Sequence, residues 1–179
     1  SGHGKLYIQT KMDATQLPVV IPRIGWQLNM TGGLDRVTWC GKGPHECYPD
    51  RKSSGVVAVH SANTSELPVP YLAPSENGCR SDVSWLRLAH SDNSSSLLIE
   101  SDNDECLNFS AQMYSTEEIA LMTHSFESKK TIPSDGSFFL NLDAKLMGIA
   151  GDDSWSATVH DEALIHPGVY EFGVSFSVN

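Results

Sequence analysis

The chain has 179 residues, of which 40% are hydrophobic and 19% are charged, and this composition excludes an intrinsically disordered protein. Its formal net charge of −10 argues against nucleic acid or an anionic membrane as a partner, because neutralising phosphates needs a basic patch. No apolar run approaches the roughly 20 residues of a membrane-spanning helix. We therefore expect one globular domain over residues 1–179 with a sizeable core.

Short apolar stretches separated by Gly, Pro, Asn and Asp predict strands along most of the chain. In chain order they cover residues 5–14, 24–30, 34–40, 56–60, 83–89, 96–100, 106–113, 138–142, 146–149, 157–159 and 169–178. The last stretch shows the clearest one-sided pattern, because its aromatic and branched residues occupy alternate positions.

One short helix interrupts these strands. Ser115 is a good N-cap, and Glu118 stands three positions later, which together form a capping box. Tyr114 and Ile119 occupy the hydrophobic-staple positions, and we expect the helix to cover residues 116–124. Many short strands with a single short helix predict an all-β fold, an antiparallel sandwich.

Three irregular segments are candidates for binding groups, because loops on a rigid sheet usually carry function. The first motif segment, residues 43–51, reads GPHECYPDR; the second, residues 70–80, reads PYLAPSENGCR; and the third, residues 147–156, reads MGIAGDDSWS. Gly and Asp favour turns, so we predict a strand, a tight loop and a second strand over residues 147–159. Trp155 near the tip of that loop is either a plug folded onto the core or a platform for a ligand.

In this order and at these spacings, the three motif segments resemble the C-terminal small-chain domain of the β-galactosidases of glycoside hydrolase family 2. Residues 22–25, which read PRIG, extend the match. The resemblance implies a large antiparallel super-sandwich, similar to the galactose mutarotase fold, packed against a TIM-barrel domain that holds both catalytic carboxylates. It covers the latter part of the family's domain, so we expect either an excised piece or a trimmed stand-alone module, and the opening SGHG suggests a processed or excised N-terminus.

The resemblance also assigns the candidate site. It implies that Trp155 forms one wall of a sugar pocket, where an indole stacks on the apolar face of galactose. Neighbouring polar groups would accept or donate hydrogen bonds to the sugar, or else would cap turns and hold loops through buried ion pairs. These residues are Asp152, Asp153, Ser154, Glu76, Asn77 and Arg80, and the ion-pair alternative extends to Glu46, Asp50 and Arg51.

Catalytic, metal and cofactor sites are not predicted. His45 and His124 have no Ser, Cys or carboxylate at a recognisable spacing, so surface or core positions are the favoured interpretation. The four cysteines, at positions 40, 47, 79 and 106, lack the close pairs of a zinc site. Their even number instead permits two disulfides with three possible connectivities.

The cysteines and four N-x-S/T sequons, at positions 29, 63, 93 and 108, favour a secreted, extracellular glycoprotein. The function predicted first is therefore a lectin-like module that binds galactose-type carbohydrate without a catalytic carboxylate pair. The alternative is a non-catalytic fragment or subunit that completes the active site of a TIM-barrel β-galactosidase partner, which would be cytoplasmic. A self-sufficient glycosidase or epimerase is disfavoured, and the oligomeric state stays open.

Overall fold

The computed structural model describes residues 4–31, 33–92, 94–102, 105–124, 136–153 and 158–178, and it is a sandwich of two antiparallel sheets. The strands are β1 (Lys5–Asp13), β2 (Arg23–Met30), β3 (Arg36–Gly43), β4 (Val56–Asn63), β5 (Arg80–Val83), β6 (Trp85–Ala89), β7 (Ser96–Ser101), β8 (Leu107–Gln112), β9 (Phe138–Leu146) and β10 (Val169–Val178). The large sheet has the order β1-β10-β7-β6-β3-β4, and the small sheet has the order β2-β9-β8-β5. The predicted all-β antiparallel sandwich is confirmed.

The core fills the space between the two sheets. Trp39 of β3 meets Phe109 of β8 edge-on at 5.7 Å between ring centroids, and Trp26 of β2 lies 5.3 Å from Phe172 of β10. Both pairs join one sheet to the other. Every second side chain of these strands faces the opposite sheet, as expected for strands that are apolar on one face. Each fully buried side chain of this size stabilises the fold by about 1.5–3 kcal/mol.

The outer face of the small sheet is polar and buried. It carries Asn108 and Ser110 of β8 and Asn141 and Asp143 of β9, all at 9% exposure or less. The side chains form a row across the strands, because Gln27 donates to Asn141 at 2.9 Å and Asn141 donates to Ser110 at 3.0 Å. Loops cover this face and bury the polar side chains, which satisfy their hydrogen bonds with one another across the strands.

The helix α1 (Thr116–Ala120) begins where the capping box predicts. Ser115 Oγ accepts from Glu118 N at 3.1 Å, and Glu118 Oε2 accepts from Ser115 N at 2.8 Å. It ends four residues before the predicted end at His124, with 85% of Leu121 exposed. None of its residues is buried, so there is no packed apolar face to extend the helix beyond its cap.

Three strand predictions were wrong. The stretch 138–149 was predicted as two strands, but β9 is one strand that ends at Leu146, and residues 147–149 are irregular. Residues 158–159 form no strand, and residue 157 lies outside the described residues. A single strand over 83–89 is instead divided between β5 and β6, because the chain passes from the small sheet to the large one at Ser84.

The predicted disulfides are not formed: all four cysteines carry free thiols. Cys47 and Cys79 are buried, and burial raises the pKa of both thiols. The Cys79 thiol lies 4.0 Å from the Ser81 hydroxyl, and the Cys47 thiol points at the carbonyl of His45. The sequon at Asn108 is also unsuited to a glycan, because that residue is buried within β8. The free thiols and the buried Asn108 therefore do not support the predicted secreted glycoprotein.

Among the described residues, no helix has the length and apolarity that crossing a membrane requires.

Candidate functional site

The first and second motif segments are joined by Glu46. Its carboxylate accepts from Arg51 Nη2 at 2.6 Å, from the backbone N of Gly78 at 2.8 Å, and from the hydroxyl of Tyr71. Only 10% of the Glu46 side chain is exposed. Three donors thus converge on one nearly buried carboxylate, and the two loops are held together at that point.

Tyr48 forms a second connection between the same segments. The Tyr48 side chain is fully buried, and its hydroxyl donates to Glu76 Oε1 at 3.3 Å. The hydroxyl oxygen of Tyr48 also accepts from Cys79 N at 3.4 Å. Burial raises the pKa of Tyr48, and the nearby charge of Glu76 acts in the same direction. The phenol therefore stays protonated and serves as a fixed donor to Glu76.

Glu76 also faces a buried ion pair of the small sheet. Arg23 donates to Asp143 through Nε at 3.1 Å and through Nη2 at 2.6 Å, and its Nη1 lies 3.2 Å from Glu76 Oε2. Burial alone would lower the pKa of Arg23, but the hydrogen bonds and charge of Asp143 outweigh it and raise that pKa. Burial raises the pKa of Glu76, while the charge of Arg23 opposes this effect.

Asn77 has its hydrogen-bonding groups occupied by protein. Its Oδ1 accepts from Val69 N at 2.9 Å, its Nδ2 donates to Ser75 O at 2.9 Å, and its carbonyl accepts from Gln112 Nε2 at 2.7 Å. These bonds hold the proline-rich loop against β8. The predicted site residue Asn77 therefore fixes the shape of the second motif segment.

Arg80 points towards the core. It is 5% exposed, its Nη1 donates to Gly78 O at 2.8 Å, and its guanidinium lies 5.6 Å from the ring centre of Trp39. Its Nε has no hydrogen-bond partner, and burial lowers the pKa of the side chain. Glu76, Asn77 and Arg80 thus lie near one another without forming one open polar surface.

The third motif segment is fixed by bonds from outside itself. Asp50 Oδ2 accepts from Ala150 N at 2.8 Å, and Gly148 N donates to Ala163 O at 2.8 Å. A Cβ on Gly148 would lie 2.5 Å from Asp50 Oδ2, so glycine is required for this close approach. The first motif segment therefore positions the third as well as the second, and all three form one connected unit.

Asp152 and His160 stand on either side of residues 154–157 in the sequence and pair with each other. Their Oδ1 and Nε2 atoms are 2.8 Å apart, and both side chains are exposed. The hydrogen bond and charge of Asp152 raise the pKa of His160 above its ordinary value of 6.5. Asp153 is exposed as well, while Ser154 and Trp155 lie outside the described residues. The pair holds the two ends of this loop together.

The arrangement can position a loop and accept hydrogen bonds, but its buried carboxylates are committed to protein partners. Among the residues that the structure describes, no group of three or more His, Cys, Asp or Glu side chains could hold a metal ion. Among the described residues predicted to bind sugar, the exposed ones are Asp152 and Asp153 of the third motif segment.

A family model described as "Beta galactosidase small chain" matches residues 1–176. The chain belongs to this family. Among curated proteins, a β-galactosidase of Vibrio cholerae is 37% identical over 158 residues, which cover 88% of this chain and 14% of the relative. A β-galactosidase of Psychromonas ingrahamii is 32% identical over 179 residues, all of this chain and 16% of the relative. One from Priestia megaterium is 34% identical over 157 residues, 88% of this chain and 14% of the relative.

This small-chain member therefore spans about one-seventh of the length of those relatives. Several residues that build its site were not assigned a role from the sequence. Asp143 lies within a predicted break between strands, and His160 follows a segment that was predicted to be a strand. Arg23 belongs to the PRIG match, which was the one available signal for its role.

Proposed function

We propose that this chain is the non-catalytic small-chain part of a β-galactosidase, and that its third motif segment completes the sugar pocket of a catalytic barrel. The observation that carries the proposal is the link from Glu46 and Asp50 to the other two motif segments. Each of these two carboxylates accepts a backbone hydrogen bond from another motif segment, and the bonds together fix the third segment relative to the other two. The names of the relatives supply the substrate class, a β-galactoside.

In this proposal Trp155 stacks on the galactose ring, because an indole face matches the apolar face of a hexose. Asp152, Asp153 and Ser154, which precede it in the sequence, accept hydrogen bonds from the sugar hydroxyls. The ion pair between Asp152 and His160 keeps the loop in one shape before the sugar arrives, which lowers the entropy cost of binding. Glu76, Asn77 and Arg80 support the loops and do not contact the sugar.

The catalytic carboxylates come from the partner. Retaining hydrolysis needs an acid and a nucleophile with carboxyl groups about 5–5.5 Å apart, both open to the glycosidic bond. Glu46, Glu76 and Asp143 are each held by cations or backbone donors, which makes them poor candidates for either role. We therefore assign this chain positioning of the sugar and no part in bond cleavage.

A chimera tests the proposal. The chain replaces the matching 14% of the Vibrio cholerae relative, and hydrolysis of a chromogenic β-galactoside is measured. We expect an active chimera whose kcat/KM falls at least about 100-fold with Trp155→Ala, since stacking and pocket closure are both lost. Trp85→Ala is the matched control, because Trp85 is a half-buried tryptophan of β6 in the large sheet.

An inactive parent chimera, or equal losses in the two variants, would contradict the proposal. Calorimetry on the chain alone separates it from the lectin-like function. Millimolar or tighter binding of galactose without any barrel would support a stand-alone binding module instead. The comparisons favour the small-chain role, because every relative described above is a β-galactosidase.

A further inference from the structure

An apolar groove of about 330 Å³ is lined by parts of the second motif segment and of the helix α1. We call it the proline groove. Three prolines and Tyr71 of the loop 68–74 line it together with Ile119 of α1 and Met122 just after that helix. The volume lies at the lower end of the ~300–1,000 Å³ range of protein pockets, which suits a large side chain of a partner.

Two very exposed leucines flank the lining of the proline groove. Leu72 is 77% exposed and follows Tyr71, and Leu121 is 85% exposed and precedes Met122. No other large hydrophobic side chain of the described residues is as exposed as these two. A single exposed leucine needs no explanation, but two of them beside a concave apolar lining are typical of a surface that a protein partner covers.

The proline groove is connected by hydrogen bonds to the third motif segment. The hydroxyl of Tyr71 donates to Glu46, whose carboxylate also accepts from Gly78 N. Asp50, in the same motif segment as Glu46, accepts from Ala150 N. A partner seated in the groove is therefore held in a fixed position relative to the third motif segment. Such a connection is useful for catalysis, because the groups of an active site have to be held within about 0.5 Å of the productive geometry.

The charges around the proline groove favour a basic partner over a second copy of this chain. Glu66 follows Ser65 of the lining, and α1 carries Glu117 and Glu118. None of the residues that line the groove is a Lys or an Arg. Pairing two copies through this surface would bring the same carboxylates together in a chain whose net charge is already −10. A partner with Lys or Arg around an apolar side chain is complementary to it.

We propose that the proline groove is the docking surface for the catalytic part of a β-galactosidase. That partner inserts an apolar or aromatic side chain between the loop 68–74 and α1, covers the two leucines, and places basic side chains near Glu66 and Glu117. This inference rests on the function proposed above, and it names the surface that holds the partner. The matched segment is only 14–16% of the relatives, so most of each relative lies outside it and can supply such a surface.

Hydroxyl-radical footprinting of the free chain and of the chimera described above tests the docking surface. We expect oxidation of Leu72, Leu121 and Met122 to be at least about fivefold slower in the chimera, because a docked partner excludes water from them. Val59 of β4, which is 63% exposed, is the reference, and its oxidation rate should be the same in both. Trp155→Ala should leave this protection unchanged, since it removes a contact with sugar.

A double variant with Leu72→Glu and Leu121→Glu tests the same surface by substitution, with Val59→Glu as the matched control at an exposed apolar position. The urea midpoint of the free chain should not change, because neither leucine is packed in it. In the chimera, kcat/KM should fall at least about tenfold in the double variant and stay unchanged in the control.

Equal oxidation of both leucines in the free chain and the chimera would overturn the docking surface, and so would equal activities of the double variant and its control. An active chimera with unprotected leucines would overturn the docking surface and leave the function proposed above intact. A chimera that protects both leucines but is inactive would support the docking surface and contradict the sugar contact of Trp155.

Discussion

Asp143→Asn should destabilise the fold strongly, because it breaks a buried ion pair. Asp143 has a side-chain exposure of 3% and receives two hydrogen bonds from Arg23, whose side chain is 22% exposed. The substitution keeps the size of the side chain but removes the charge that offsets the burial of the guanidinium. Removing one partner of a buried pair costs about 3–5 kcal/mol. Glu76, at 3.2 Å from Arg23, remains as a counter-charge, so we expect about 3 kcal/mol.

Urea unfolding, followed by tryptophan fluorescence, measures this loss. With a typical m-value of about 1–3 kcal/mol per molar, a loss of this size lowers the midpoint by about 1–3 M. A double-mutant cycle with Arg23→Met isolates the pair, and we expect the two losses to overlap by at least about 1 kcal/mol. Glu76→Gln is the matched comparison at the more exposed carboxylate. Additive losses, or an Asp143→Asn variant within about 1 kcal/mol of the native chain, would refute the assignment of Arg23 and Asp143 as a stabilising buried ion pair.

Three further predictions concern packing, pH and redox state. Gly25→Ala should cost more than about 3 kcal/mol in urea unfolding, because its Cβ would lie 2.2 Å from the carbonyl oxygen of Leu142, and a native-like midpoint would contradict this. The His160 and Asp152 pair should stabilise the loop fully below pH 6.5 and progressively lose this effect as pH rises through the raised pKa of His160. Asp152→Asn should lower the histidine titration midpoint seen by proton resonance, and equal midpoints would refute the pairing. Thiol titration should find four reactive cysteines in denaturant without reductant and no more than two in the native chain, whereas two in denaturant would indicate a disulfide.

Local signals predicted those parts of the fold whose partners are close in sequence. The capping box of Ser115 and Glu118 spans three residues, so both halves of the interaction can be read from one window. The alternation along β10 is equally local, since its period follows from strand geometry alone. These elements begin where the sequence indicates.

The errors come from partners that are distant in sequence. The sequence predicts a break between two strands around Asp143, but Arg23, 120 residues away, neutralises its charge and β9 continues through it. The hairpin predicted over residues 147–159 fails for a related reason. In the described part of that segment, the backbone N–H groups of Gly148 and Ala150 donate to Ala163 O and Asp50 Oδ2. The residue types favour a turn locally, but the groups that hold this segment come from distant parts of the chain.

Two carboxylates of the first motif segment hold the other two motif segments in place. Glu46 and Asp50 have partners within the chain, so their presence is explained by the shape of the loops that they join, and their substitution should act by displacing those loops. A motif carboxylate that already accepts hydrogen bonds from the protein is therefore weak evidence for contact with substrate.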